Sequence, residues 1–151
     1  MAITATTQKL LAQIKLLILD VDGVLTDGKL YICDHNTEFK AFHAHDGHGM
    51  KQLQTQTDVQ IAVISGRQSA AASHRLTELN VPYQYLGYEN KLPIYHQLLS
   101  QLQLKPEQVA YIGDDLPDWD IMQHIGVSIA VNNAIDFLKT EANYITTRNG
   151  G

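Results

Sequence analysis

Two carboxylates two residues apart, Asp20 and Asp22, close the apolar run Ile14-Lys-Leu-Leu-Ile-Leu, which turns at once into Gly23. Residues i and i+2 of an extended segment share a face, so the pair can converge on one small site, and Gly23 permits the sharp exit such a site needs. One carboxylate can attack while the other moves protons. Farther along stand Ser65 with Arg67, then Lys91, then Asp114-Asp115 with Asp118. Carboxylates from two strand ends can hold Mg²⁺, a hard ion that takes oxygen ligands and keeps waters and substrate phosphate for its remaining positions. Ser65, Arg67 and Lys91 offer hydrogen bonds and positive charge to a phosphoryl group. The set suits phosphoryl transfer, with Asp20 as nucleophile, Asp22 as general acid and base and Asp114 as metal anchor. Lys91 then ties nucleophile and phosphate together electrostatically. Any one of these aspartates alone could be a helix or turn cap, but together, in chain order and at strand ends, they point to one site.

Such residues need a scaffold that brings strand ends together. Apolar runs at Ile14–Leu19, Val59–Ile64, Tyr83–Leu86, Val109–Ile112, Val127–Val131 and Tyr144–Thr146 alternate with helical patterns at Gly49–Gln56, Gln68–Leu79, Leu92–Leu102, Asp118–Gln123 and Ala134–Thr140. That alternation predicts an α/β fold, a three-layer Rossmann-like arrangement with a mostly parallel sheet whose strands are buried on both faces. The candidate residues then fall at the strands' carboxyl ends, where open α/β sheets place ligands. Gly28–Cys33 and Thr37–Phe42, separated by Asp34-His35-Asn36, read as a β-hairpin insertion over about 28–42. Its Leu30, Tyr31, Ile32, Phe39 and Phe42 must pack on something, and another subunit is the expected partner.

The 151 residues suit a single domain, and 44% apolar with 18% charged residues describes an ordinary globular chain. A net charge of −5 without a basic run argues against nucleic-acid or membrane partners. Absence of a long apolar stretch or a secretory-type leader leaves the cytoplasm as the expected compartment. Cys33 has no partner for an internal disulfide and reads as a small core or edge residue. The segments expected to be least ordered are residues 1–6 and Arg148–Gly151. Of the histidines, His43 and His45 would share a strand face but lack a third ligand, so substrate or subunit contact is expected rather than a transition metal. His35, His74, His96 and His124 are expected to be solvated or partly buried, and Tyr111 and Trp119 to serve packing.

Asp-Val-Asp-Gly-Val-Leu-Thr-Asp-Gly, Ile-Ser-Gly-Arg, Asn-Lys and Ile-Gly-Asp-Asp-Leu-Pro-Asp resemble, in order, the four motifs of the haloacid dehalogenase superfamily. Together with the hairpin and the Lys40-Ala-Phe-His-Ala-His-Asp-Gly-His-Gly segment, they resemble the 3-deoxy-D-manno-octulosonate 8-phosphate phosphatase family, a capless branch, over Ile14–Gly151. The resemblance implies a hairpin in place of a cap domain, a homotetramer in which a neighbour completes each site, and a Mg²⁺-dependent phosphatase working through an aspartyl phosphate in lipopolysaccharide precursor synthesis. It implies Mg²⁺ on the Asp20 and Asp114 side chains and the Asp22 backbone carbonyl, phosphate on Ser65 and Lys91, and support from Asp118. Its substrate-binding positions fall on Asp22, His43, Ala44, His45, Asp46, Gly47, Lys51, Arg67, Arg75 and Lys91. Family members commonly carry Asn-Val-Arg or His-Val-Arg before Asp-Gly, where this chain has His43-Ala44-His45, an imidazole in place of an always-charged guanidinium. They also commonly continue past a Gly-Gly pair, here Gly150-Gly151, with an Arg-bearing tail that closes over an adjacent site. The substitution keeps a nine-carbon, sialic acid-type 9-phosphate as an alternative substrate. A phosphorylation-controlled receiver module is the alternative of another class, although its acidic pair and phosphoacceptor occupy different strands, and a non-catalytic scaffold leaves the site residues unexplained.

Overall fold

Leu16-Leu17-Ile18-Leu19 holds the middle of the sheet because nothing in it asks for water, and Leu16 and Ile18 are wholly buried. The computed structural model describes residues 5–151. In chain order the elements are α1 (Ala5–Leu11), β1 (Leu16–Leu19), β2 (Tyr31–Ile32), β3 (Glu38–Phe39), α2 (Ala44–Gln56), β4 (Gln60–Ser65), α3 (Ala70–Glu78), β5 (Tyr83–Leu86), α4 (Leu92–Leu102), β6 (Val109–Gly113), α5 (Leu116–Met122), β7 (Val127–Ala130), α6 (Asp136–Glu141) and β8 (Tyr144–Ile145). Six strands form one parallel sheet in the order β5-β4-β1-β6-β7-β8, and β2 pairs with β3 in a separate antiparallel ribbon.

The crossovers run from β1 outward through β4 to β5, then return to β6 and proceed the other way through β7 to β8. With right-handed connections, this reversal puts α2 and α3 on one face and α4, α5 and α6 on the other. It also opens a crevice between the carboxyl ends of β1 and β6, whose outgoing chains part in opposite directions. Leu19 stands level with Val63 on β4 and Ile112 on β6, so Asp20, Ser65 and Asp114 emerge along one sheet edge. Ile61, Ile64, Leu76, Leu98, Ile121 and Leu138 fill the core around this frame.

The differences from the sequence pattern have local causes. Of the N-terminal segment expected to be weakly ordered, residues 1–4 lie outside the described residues and residue 5 begins α1. The hairpin strands shrink to two residues each around a tight turn at Asp34–Asn36, and Phe42 leaves the ribbon to pack on the main core. Helix α2 starts at Ala44, five residues before the expected Gly49. Gly47 and Gly49 disguise its first turn, since glycine disfavours helix by about 1 kcal/mol. A Cβ at Gly47 would lie 2.3 Å from Arg75 Nη2, so any side chain there must displace the guanidinium. His43 and His45 therefore do not alternate along a strand: His43 caps α2, its Nδ1 accepting from His45 N–H at 3.1 Å. Cys33 is exposed in the hairpin rather than in the core. The Arg148–Gly151 end is docked: Gly150 N–H donates to Asn133 Oδ1 at 2.9 Å, and Gly151 N–H donates to Val24 O at 3.1 Å.

Candidate active site

Asp20 leaves β1 into a single wide turn, Val21–Leu25, in which Gly23 takes φ 98°, a conformation that a side chain strains. A Cβ at Gly23 would also stand 2.0 Å from Asp114 Oδ2, so the missing side chain is what lets the β6 carboxylate reach the β1 carboxylate. The resulting cleft, about 470 Å³, is lined by Asp20, Asp22, Ser65, Arg67, Lys91 and Asp114, with Gly66, Glu89, Asp115, Pro117 and Asp118 around them. Another hollow of about 410 Å³ lies between α2 and the sheet, but its lining is mainly aliphatic and contains none of Asp20, Ser65, Lys91 or Asp114.

Lys91 is buried immediately before α4 and organises the cleft floor. Its ammonium donates to Asp20 Oδ1 and Asp118 Oδ1, each at 2.7 Å, and approaches the Tyr111 hydroxyl at 3.3 Å. Tyr111 in turn donates to Asp118 Oδ1 at 2.7 Å, while Asp118 Oδ2 accepts the backbone N–H groups of Asp114 at 2.9 Å and Asp115 at 3.3 Å. Asp118 oxygens lie within 4.8 Å of ligand atoms on Asp20 and Asp114, yet both are already committed to donors, which makes Asp118 a brace for the acidic loop. Helix α5 begins two residues earlier than its pattern suggests, because Asp115 caps it and Pro117 sits in the first turn, where its missing N–H costs nothing.

Burial first, then the Asp118 charge, push Asp20 up to about 6 against the pull of Lys91. Burial and the charges of Asp118, Asp20 and Asp115 push Asp114 up to about 7. Burial works against the Lys91 charge, but Asp20 and Asp118 outweigh it and keep its pKa above the ordinary value. Two carboxylates that resist ionising side by side, across a glycine that leaves room for both, fit a divalent cation.

Asp22 lies at the cleft's outer wall. One oxygen, Oδ1, pairs with Lys40, and the other, Oδ2, is buried without a hydrogen-bond partner among the described residues, with Arg67 Nε 3.8 Å away. Arg67 also pairs with Glu38. Ser65, buried at the end of β4, accepts the Arg67 N–H on Oγ at 3.3 Å. The structure thus gathers Asp20, Asp22, Ser65, Arg67, Lys91 and Asp114 into one cleft. His45 and Asp46 line the 410 Å³ hollow, both also line another with His43, Arg148 and Asn149, and Asp46, Gly47 and Arg75 line a fourth. Ala44 and Lys51 are exposed on α2.

Sequence reasoning missed Glu38, Lys40 and the polar role of Tyr111. A signal existed for the first two: Glu38 and Lys40 alternate with Phe39, which puts both charges on one strand face. Trp119 behaves as expected, packed edge-on against Phe137 at 5.4 Å.

A parallel α/β domain with paired aspartates, a buried lysine and a strand-end serine at its switch point is built for phosphoryl transfer through a carboxylate. The family model described as haloacid dehalogenase-like hydrolase matches residues 89–150. The chain is 46% identical over 140 residues to the KdsC 3-deoxy-D-manno-octulosonate 8-phosphate phosphatase of Yersinia pestis, covering 93% of this chain and 74% of that one. It is 44% identical over 138 residues to the Escherichia coli KdsC, covering 91% and 73%. The crystal structure of the Yersinia pestis phosphatase superposes with a TM-score of 0.91 at 44% identity, covering 94% of this chain and 76% of that chain. The Moraxella catarrhalis phosphatase, solved in complex with magnesium, phosphate and a KDO molecule, superposes with a TM-score of 0.90 at 38% identity, covering 95% and 82%. The chain belongs to the 3-deoxy-D-manno-octulosonate 8-phosphate phosphatase family of haloacid dehalogenase-like hydrolases.

Proposed function

We propose that this chain is a Mg²⁺-dependent phosphatase that hydrolyses 3-deoxy-D-manno-octulosonate 8-phosphate to the free ulosonic acid and phosphate. The observation that carries the reading is the Asp20 carboxylate at the switch-point crevice, with Oδ1 held by Lys91 at 2.7 Å, Asp114 across Gly23, and Ser65 on the next strand. Asp20 attacks phosphorus with its unheld oxygen, and the leaving sugar alkoxide takes a proton from Asp22. Asp22, now a base, deprotonates the water that opens the aspartyl phosphate and regenerates both groups. Lys91 keeps Asp20 aimed while Ser65 donates to a phosphoryl oxygen. The Asp20 and Asp114 side chains and the Asp22 backbone carbonyl would hold Mg²⁺, which supplies charge neutralisation between an anionic nucleophile and an anionic phosphate.

Arg67 is the cleft's exposed cation for the substrate's anionic sugar, being 47% exposed. His43, Ala44, His45, Asp46, Gly47, Lys51 and Arg75 stand outside the cleft of their own chain, and in our reading they complete the site of a neighbouring subunit. Leu30, Ile32 and Phe39, each at least half exposed on the hairpin, supply the apolar contact for a homotetramer. Residues 1–151 form one domain in this reading, with the hairpin as its insertion. No helix among the described residues is long and apolar enough to cross a membrane, and we place the enzyme in the cytoplasm with the soluble precursors it acts on.

A phosphate-release panel over eight- and nine-carbon ulosonic acid phosphates, with and without Mg²⁺, tests the assignment. Turnover of the eight-carbon acid only with Mg²⁺ is expected. A clear preference for the nine-carbon acid would overturn the substrate, and stoichiometric labelling without turnover would overturn the phosphatase.

A further inference from the structure

The hairpin sends one side chain back to the outer wall of its own chain's cleft. Lys40, just past β3, has a side chain 2% exposed, and its ammonium pairs with Asp22 Oδ1 and, at 3.0 Å, with Glu38 Oε1. A buried ammonium is retained only where partners compensate its lost hydration, so Lys40 is anchored rather than mobile. It grips one Asp22 oxygen and leaves the other alone. Oδ2 is buried, has no hydrogen-bond partner among the described residues, and sits 3.8 Å from Arg67 Nε, beyond hydrogen-bond reach. A carboxylate fixed by one oxygen and with the second free of donors, on a residue that lines the cleft, has the geometry for exchanging a proton with a leaving oxygen or a water.

We propose that Lys40 is a positioning residue for Asp22: the hairpin delivers an ammonium that clamps Oδ1 and thereby aims Oδ2 at the reacting oxygen. The proposal rests on the reading of Asp22 as acid and base. It gives the hairpin a role within its own chain's site, in addition to any contact with a neighbour. Glu38 completes the arrangement from the same strand face. Its two oxygens hold Lys40 and Arg67 in place, so the hairpin fixes the proton carrier and the adjacent guanidinium together.

The test is a double-mutant cycle on the full chain with Mg²⁺, using an eight-carbon ulosonic acid phosphate and a small aryl phosphate. K40M lowers kcat on both substrates by about tenfold to a hundredfold, the scale of a misaimed group, and leaves KM within about twofold. K40R recovers most of the loss, and K40Q, which keeps a neutral donor, falls between. On a D22N background, K40M changes the residual kcat by less than about twofold, because the group it aims is gone. A K40M enzyme with wild-type kcat overturns the proposal, as do K40M and D22N losses that multiply. Should K40M fail to fold, K40R and K40Q run the same cycle. Wild-type turnover by D22N would instead overturn the acid–base reading itself, and a slow D22N beside a normal K40M would remove only the role of Lys40.

Discussion

Lys91 directs its ammonium at three oxygens, on Asp20, Asp118 and Tyr111, and the Tyr111 contact at 3.3 Å is the longest of them. An incoming phosphoryl oxygen can take that third position while the 2.7 Å bonds to both carboxylates persist. Tyr111→Phe removes the hydroxyl and leaves Asp118 Oδ1 with one donor. We expect a stability loss of about 1 kcal/mol by denaturant titration and a measurable fall in kcat, since the brace behind Lys91 is loosened. Asp20→Asn keeps the shape and removes the nucleophilic charge, so turnover falls on the order of 10³-fold or more in a phosphate-release assay. Because burial and Asp118 already disfavour the Asp20 charge, the same variant without metal melts no lower than the wild type near neutral pH. Phosphate release at the wild-type rate would reject Asp20 as nucleophile.

At the scale of elements, the turn after β1 shapes the cleft and the hairpin that follows it braces the cleft's outer wall. Gly23→Ala meets two obstacles, a φ of 98° and a Cβ 2.0 Å from Asp114 Oδ2, so either the turn or the Asp114 carboxylate must move. Calorimetry should show Mg²⁺ affinity lowered by at least about tenfold, the scale of displacing one ligand's support, with a drop in stability alongside. The hairpin has two tasks. Glu38 and Lys40 pair with the charged groups at the cleft's outer wall, whereas Ile32, 70% exposed beside Glu38 in the pairing register, and Phe39, 52% exposed on the other face, present apolar surface to solvent. Replacing both apolar residues by serine should shift the proposed tetramer to smaller species in sedimentation velocity, and an unchanged sedimentation coefficient would remove the hairpin as the assembly surface.

For the whole molecule, the sheet edge concentrates negative charge that the fold alone does not balance. Asp20 and Asp114 hold their protons to about 6 and about 7, above the ordinary 3.8, so between roughly pH 4 and 7 the folded state binds more protons than the unfolded one. Stability of the metal-free protein therefore falls as pH rises through that window. Thermal melts in chelator should show a Tm declining from about pH 5 to 7.5, and Mg²⁺ at a hundredfold over its Kd adds about 2.7 kcal/mol and lifts the neutral-pH value most. A metal-free Tm that rises across the same range would contradict the clustering of unbalanced carboxylates.

The strand-end order of Asp20, Ser65, Lys91 and Asp114 was legible in the sequence, because parallel strands buried on both faces leave continuous apolar runs and place polar residues only where the chain leaves the sheet. Asp22 was legible with them through its spacing to Asp20. The roles of Lys40, Glu38 and Tyr111 were not, since each acts through a partner distant in the chain: Lys40 is 18 residues from Asp22, and Arg67 is 29 from Glu38. Periodicity reports which face a residue occupies and is silent on what that face meets. Tertiary structure alone decided which donors Asp118 accepts, that His45 lies in the first turn of α2, and that the residues from His43 to Gly47 stand apart from the Asp20 cleft. Those outcomes depend on how the hairpin, α2 and the docked Gly150-Gly151 end are fixed in space, by close backbone approaches and paired charges that leave no repeat in the sequence.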